Sequence, residues 1–279
     1  LTVSAEQKSA QETLKTIKAF KEELGIFTTI GLSNISFGLP EKRQSLSKLA
    51  TLSRQINNYF TIYLPYILAT EEEFKNIYTI FAGGDDLFLI GPWNKIIEFA
   101  KHLYRSFSDY VCQNKEITIS AGISIHKANE PIMTFYEHSE NALNTSKNRG
   151  KDSITVFGET VKWQQFIELE EIKEGIQNLF DKEIINNAML FRLLNLSEMA
   201  KKEEEILRRQ NIELKDIECL KWRAMLKYTI TRNIDNKLKN KEGDKIIKDI
   251  TEKLFLWISK FKGAIKIPIC QVIYNKRGG

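Results

Sequence analysis

Between residues 46 and 68 apolar side chains recur with helical spacing, at Leu49, Leu52, Ile56, Tyr59, Phe60 and Tyr63. Two short apolar runs follow, 77–82 and 87–90, rich in β-formers and joined by four turn residues, which predicts a β-hairpin. Pro92-Trp93 opens a helix that reaches about Tyr110, with proline in its first turn. Residues 117–125 alternate as a strand whose centre is small: Ser120, Ala121 and Gly122. Residues 132–147 read as a helix closed by Asn148-Arg149-Gly150, and 153–157 as a last short strand. The series helix, hairpin, helix, strand, helix, strand needs one strand in front to give a ferredoxin-like α+β sheet with helices on one face. Polymerase and nucleotidyl-cyclase palms have this architecture, although fold alone does not give function.

From residue 161 the pattern changes. Glycine becomes scarce, proline occurs only at Pro268, and long stretches of Glu, Lys, Leu and Ile dominate. This predicts an all-α helical bundle over 161–279, ending in a short extended tail at 265–274. Within it Trp222, Leu226 and Ile230, four apart, predict a buried stripe with Arg223 and Lys227 on its flank.

The chain of 279 residues has room for one large domain or two ordinary ones. No run approaches the roughly 18 apolar residues needed to span a bilayer, so no membrane contact is expected, and the three scattered cysteines read as thiols of a cytoplasmic protein. The start, Leu1-Thr2-Val3-Ser4, has neither a signal-peptide pattern nor an initiator methionine, and the chain reads as a fragment. Cys112, Cys219 and Cys270 are odd in number and far apart, which rules out a disulfide framework or a Cys-x-x-Cys knuckle. His102, His126 and His138 show no metal spacing, and none is followed by Asp, which excludes a His-Asp phosphohydrolase signature. The net charge of +5 comes from a surplus of Lys and Arg after residue 160. Contact with a nucleic-acid backbone accounts for it, and so does a solvated helix face.

The chemistry concentrates at Gly83-Gly84-Asp85-Asp86. One reading is a plain hairpin turn, since glycine and aspartate tolerate the required backbone angles. The other is a metal site. Adjacent carboxylates at a hairpin tip between apolar runs are costly unless a divalent cation offsets them. Two glycines in front remove the Cβ atoms where a phosphate would approach. Phosphoryl transfer with two Mg²⁺ ions needs carboxylates on such a rigid strand turn.

Three stretches resemble the large, polymerase-like subunit of type III-A (Csm) CRISPR effector complexes. They are Ser45-Leu-Ser-Lys-Leu-Ala-Thr-Leu-Ser-Arg-Gln55, residues 77–93 around the glycine–aspartate turn, and Ile117-Thr-Ile-Ser-Ala-Gly-Ile-Ser124. The likeness runs from about residue 42 to the C-terminus, through a palm at 44–160 and a C-terminal helical domain at 161–279. It implies Mg²⁺ (or Mn²⁺)-dependent joining of ATP into 3′–5′ cyclic oligoadenylates when the complex binds target RNA, in antiviral defence. The implied partners are other effector subunits, with CRISPR RNA and target RNA met through the complex. The implied metal ligands and catalytic residues are Asp85 and Asp86. Gly83, Gly84 and Ser120 lie beside the nucleotide. Lys147, Arg149 and Lys151 stand where related GGDEF cyclases place basic residues near the triphosphate, although a helix C-terminus also favours such residues. One alternative is a catalytically silent, RNA-sensing scaffold. Another is a GGDEF-type cyclic dinucleotide synthase, which would carry a Glu-Phe pair where this chain has Asp86-Leu87.

Residues 1–43 read differently. An amphipathic helix at 4–23, then a strand and loop at 27–40, resemble one unit of the pterin-binding barrel of cobalamin-dependent methionine synthase. One unit cannot close a (β/α)₈ barrel. The resemblance to the CRISPR family implies here a first palm strand with an aspartate aimed at the metals, and this chain offers Ser33 and Asn34. A chimeric junction near residues 38–43, or a natural fusion, is expected, with the segment itself supplying the first palm strand.

Overall fold

The computed structural model describes residues 26–32, 46–83, 86–127, 130–209, 214–234 and 241–277. The helix expected at 4–23, the loop up to residue 40, Ser33, Asn34, Gly84 and Asp85 lie outside the described residues. The chain divides into two compact units, Leu1–Trp163 and Gln164–Arg277.

In the first unit the described strands form one sheet in the order β2-β3-β1-β4-β5-β6. Strand β1 (Ile26–Leu32) sits at its centre, antiparallel to both β3 (Asp86–Pro92) and β4 (Ala121–Lys127). The segment before the helices therefore does supply a strand beside the hairpin. Strand β2 (Tyr78–Gly83) is the outer partner of β3, and β5 (Ser153–Val156) runs parallel to β4. Strand β6 (Glu159–Lys162) returns on β5 through Phe157 and Gly158, whose φ angles of 53° and 79° are those of a tight primed hairpin turn.

Helix α1 (Leu46–Asn58) passes through one wide turn at Tyr59–Tyr63 into α2 (Leu64–Thr70). Pro65 stands at the start of α2 and has no N–H for the carbonyl four residues back, which accounts for the local change of winding. Helix α3 (Trp93–Tyr110) packs against β1, β3 and β4. Tyr59 and Phe60 are buried near it, with the Tyr59 ring edge-on to Phe107 at 5.2 Å.

Helix α4 (Ile132–Asn148) lies against β4 so closely that only glycine fits at position 122. A Cβ there would stand 2.2 Å from the Leu143 nitrogen and 2.5 Å from the Ser139 oxygen. Side chains alternate along a strand, so Ala121 and Ile123, both buried, point to the other face. Helix α4 thus adds a second layer to the ferredoxin-like core. It belongs to the crossover that joins the parallel strands β4 and β5. Its last turn is tied down by Ser146, whose hydroxyl donates to the Ala121 carbonyl at 2.8 Å and meets Thr155 at 2.7 Å.

The second unit is helical in its described residues. It follows α5 (Trp163–Asp181) with α6 (Asn187–Leu207), α7 (Trp222–Ile234), α8 (Lys241–Phe261) and α9 (Lys266–Arg277). Short 3₁₀ turns, Leu214–Lys221 and Lys262–Ile265, precede α7 and α9. Asn186 caps α6 by accepting the Met189 N–H at 2.9 Å. Trp222, Leu226 and Ile230 are buried in line, as their spacing predicts. The extended tail expected at 265–274 is a helix instead. Its β-branched residues, Ile267, Ile269, Val272 and Ile273, are all buried, and burial outweighs their weak preference for strands. Pro268 falls in the first turn of α9, where no helical N–H partner is required. Among the described residues no helix is long and apolar enough to cross a membrane.

Glu203 of α6 joins these helices. Its carboxylate accepts the Trp222 indole N–H at 2.8 Å and is paired with Arg223. Burial pushes its pKa up, but the hydrogen bonds from Arg223 and Trp222 and the nearby cations outweigh this and hold it below the ordinary carboxylate range. Glu203→Ala is expected to cost about 2 kcal/mol, since it leaves the indole N–H unpaired. The sign of the pH effect follows from the lowered pKa. The contribution is complete above the unfolded carboxylate pKa and is lost as pH falls through the lower folded value. Urea unfolding of both proteins at neutral and acid pH checks this, and the two curves should converge in acid.

Candidate active site

The glycine–aspartate turn lies where two strands meet. Gly83 ends β2, Asp86 begins β3, and the two are paired directly. Asp86 shares its face of β3 with Phe88 and Ile90, and these pack with Phe135 and Ile132 of α4. Its exposed carboxylate therefore belongs to the α4 side of the sheet. A cleft of about 530 Å³ opens there, with Phe81, Asp86 and Phe88 on the hairpin wall and Tyr136, Glu140 and Lys147 on the α4 wall.

Lys147 is in the last turn of α4 and lines the same cleft as Asp86. Lys151 does not line it. Gly150 and Lys151 have φ angles of 97° and 52°, and their carbonyls accept from the Lys162 ammonium at 2.8 and 2.5 Å. Arg149 caps α4 and is exposed. Ser120 precedes β4 by one residue. The pairing of Leu32 with both Leu87 and Ala121 puts it at the same end of the sheet as Asp86. Its hydroxyl is buried and has no hydrogen-bond partner among the described residues. The structure thus brings Asp86 and Lys147 into one cleft, with Gly83 and Ser120 at the same sheet end, and it leaves Lys151 in the loop behind.

Two cleft residues escaped the sequence reading. The hydrogen bond to Glu140 and that carboxylate's charge push the Tyr136 hydroxyl above its ordinary range, with burial and Asp86 adding to the effect. The ring of Tyr136 also meets Phe88 edge-on at 5.5 Å. Tyr136, Glu140 and Lys147 lie four and seven apart, one face of a helix, and that spacing was the available signal. Among the described residues no group of three or more His, Cys, Asp or Glu side chains is arranged to hold a metal.

Residues 15–155 match the family described as Cas10/Cmr2, second palm domain, a stretch that takes in β1. Over 231 residues the chain is 28% identical to the CRISPR system single-strand-specific deoxyribonuclease Cas10/Csm1 (subtype III-A) of Methanocaldococcus jannaschii. That alignment covers 72% of this chain and 27% of the relative, so the chain spans little more than a quarter of that protein's length. A Csm1–Csm4 cassette in complex with AMPPNP superposes with a TM-score of 0.60 at 18% identity, over 91% of this chain and 38% of that one. A Csm1–Csm4 cassette in complex with cA4 gives 0.59 at 19% identity, over 92% and 38%. The matched stretch takes in β1, the hairpin and α4, about half of the chain, and the chain belongs to the Cas10/Cmr2 family, whose second palm domain it carries.

Proposed function

We propose that this palm joins ATP molecules into 3′–5′ cyclic oligoadenylates as part of a type III-A CRISPR effector complex that has bound target RNA. The observation that carries the proposal is the single cleft shared by Asp86, at the paired base of the glycine turn, and Lys147. The similar Csm1–Csm4 cassettes solved with AMPPNP and with cA4 support a nucleotide substrate and an oligoadenylate product. They also support other effector subunits as partners.

In this reading Asp85 and Asp86 hold Mg²⁺ or Mn²⁺. The donor set fits, because an exposed carboxylate on a strand end offers the hard oxygen ligands these ions prefer. A bound ion would neutralise charge that develops on the phosphate oxygens. The chain's own residues do the rest. Gly83 and Gly84 let the phosphates approach the backbone, Lys147 binds them from α4, and the unpartnered Ser120 hydroxyl offers a hydrogen bond at the same sheet end. Lys151, which lies outside the cleft, takes no part in this reading. The 3′-hydroxyl of one nucleotide then displaces pyrophosphate from the α-phosphate of the next.

The silent-scaffold reading has one observation in its favour. The first strand leads into Ser33 and Asn34, where the family resemblance calls for an aspartate. Chromatography of products from the assembled complex with target RNA, Mg²⁺ and ATP separates the readings. Cyclic oligoadenylate is the expected product. Unchanged ATP would leave the scaffold, and a cyclic dinucleotide made from GTP would point to the GGDEF-type enzyme.

A further inference from the structure

Helix α7 carries a second surface, in the other compact unit, that the nucleotide cleft does not explain. Its inner stripe, Trp222, Leu226, Ile230 and Ile234, is buried. The opposite stripe is Met225, Tyr228 and Arg232, with Lys221 of the preceding 3₁₀ turn in line, spaced four, three and four apart and all exposed. At the helical rise this line is about 16 Å long. It pairs cations with apolar groups, and Tyr228 is 62% exposed. No acidic residue occurs from 221 to 234.

The surroundings keep the stripe positive. Lys221 has Glu218 at 3.9 Å, and Arg223 on the flank is engaged by Glu203. Arg192, Lys227 and Arg232 have no ion pair among the described residues, and Arg192 of α6 donates to Asn233 at 2.6 Å at the far end of α7. The Arg232 guanidinium donates to the Tyr228 hydroxyl at 2.7 Å and lies 5.9 Å from the ring centroid. The ring is thus steadied beside a cation while most of it stays open to solvent.

We propose that this stripe binds single-stranded nucleic acid, with Tyr228 stacking on an unpaired base and Lys221, Lys227 and Arg232 meeting the flanking phosphates. An exposed aromatic between cations suits a strand whose bases are free to stack, and a duplex hides those faces. A protein partner fits less well, because lysine is depleted at the cores of protein interfaces.

The test is fluorescence anisotropy on the full chain with a labelled single-stranded RNA, the DNA of the same sequence, and the corresponding duplex. Tyr228→Ala is expected to weaken single-strand binding about tenfold, as loss of a stacked base does, while Tyr228→Phe stays near wild type. Arg232→Gln should flatten the dependence of log affinity on log salt by about 0.7 unit, the share of one phosphate contact on a single strand. A Tyr228→Ala effect on RNA, on DNA or on both supports the site and says which polymer it prefers. Wild-type affinity and salt slope in Tyr228→Ala and Arg232→Gln overturn it, as does a duplex bound as tightly as the single strand. These positions are exposed, so unchanged thermal unfolding of the variants is expected and excludes a folding defect. The outcome is independent of ATP conversion at the palm.

Discussion

Alanine at both Asp85 and Asp86 is expected to lower Mg²⁺-dependent ATP conversion by the complex at least ~100-fold, the scale set by removing a group that stabilises transition-state charge. Asp86 stands at the first pair of the β3 ladder, and its side chain is exposed rather than packed. Its loss should therefore leave the sheet intact. Complex assembly and RNA binding should be nearly unchanged, because contacts to a phosphate backbone lie elsewhere. Product chromatography and an assembly assay on the same preparation check both halves. Retained synthesis would remove the assignment of the aspartates, while loss of assembly would make them structural.

Gly122→Val is the substitution expected to damage the palm most without touching a proposed ligand. Even the first added carbon would meet backbone atoms of α4, at 2.2 Å from the Leu143 nitrogen. Backbone cannot swing aside as a side chain can, so the helix must lift from the sheet. A cost of about 3 kcal/mol is expected, the upper range for overpacking a core. Glu140 and Lys147 ride on that helix, so nucleotide binding should fall together with stability. Urea unfolding gives the first quantity and ATP titration the second. A stable Gly122→Val protein with an intact cleft would refute the close contact.

How far the sequence was legible depended on which physical signal each element used. The hairpin was plain because glycine and aspartate punctuate two β-prone runs, and Gly83 pairs with Asp86. Strand β1 was legible as a strand from its alternation, although the segment that carries it resembles another family; its place between β3 and β4 rests on long-range pairing that local pattern does not carry. The strand expected from residue 117 begins at Ala121. Ile119 and Ser120 are buried without joining the ladder, so apolar alternation there reported burial rather than pairing. Strand β6 was missed because it is four residues long and buries Glu159, which breaks the expected pattern. The last helix was misread because isoleucine and valine serve strands and fully buried helices alike. At the site, types of residue were readable and convergence was not. Lys147 and Lys151 belong to one basic cluster in sequence, but the turn through Gly150 separates them, and of the two Lys147 lines the cleft.

In the proposed reading the two turn aspartates make a metal–nucleotide site to which Ser33 and Asn34, after the first strand, add no carboxylate. Calorimetric titration with Mg²⁺-ATP measures this, using the chain as it stands, Ser33→Asp, Asn34→Asp, and each of these with Asp85 and Asp86 changed to Ala. On the alternation read from the sequence, only one of positions 33 and 34 is expected to face the turn. Weak binding is expected of the unchanged chain, and tighter binding of one of the two aspartate variants. That gain should vanish when Asp85 and Asp86 are removed. Binding equally tight in every one of these proteins would mean that the turn aspartates hold neither metal nor nucleotide.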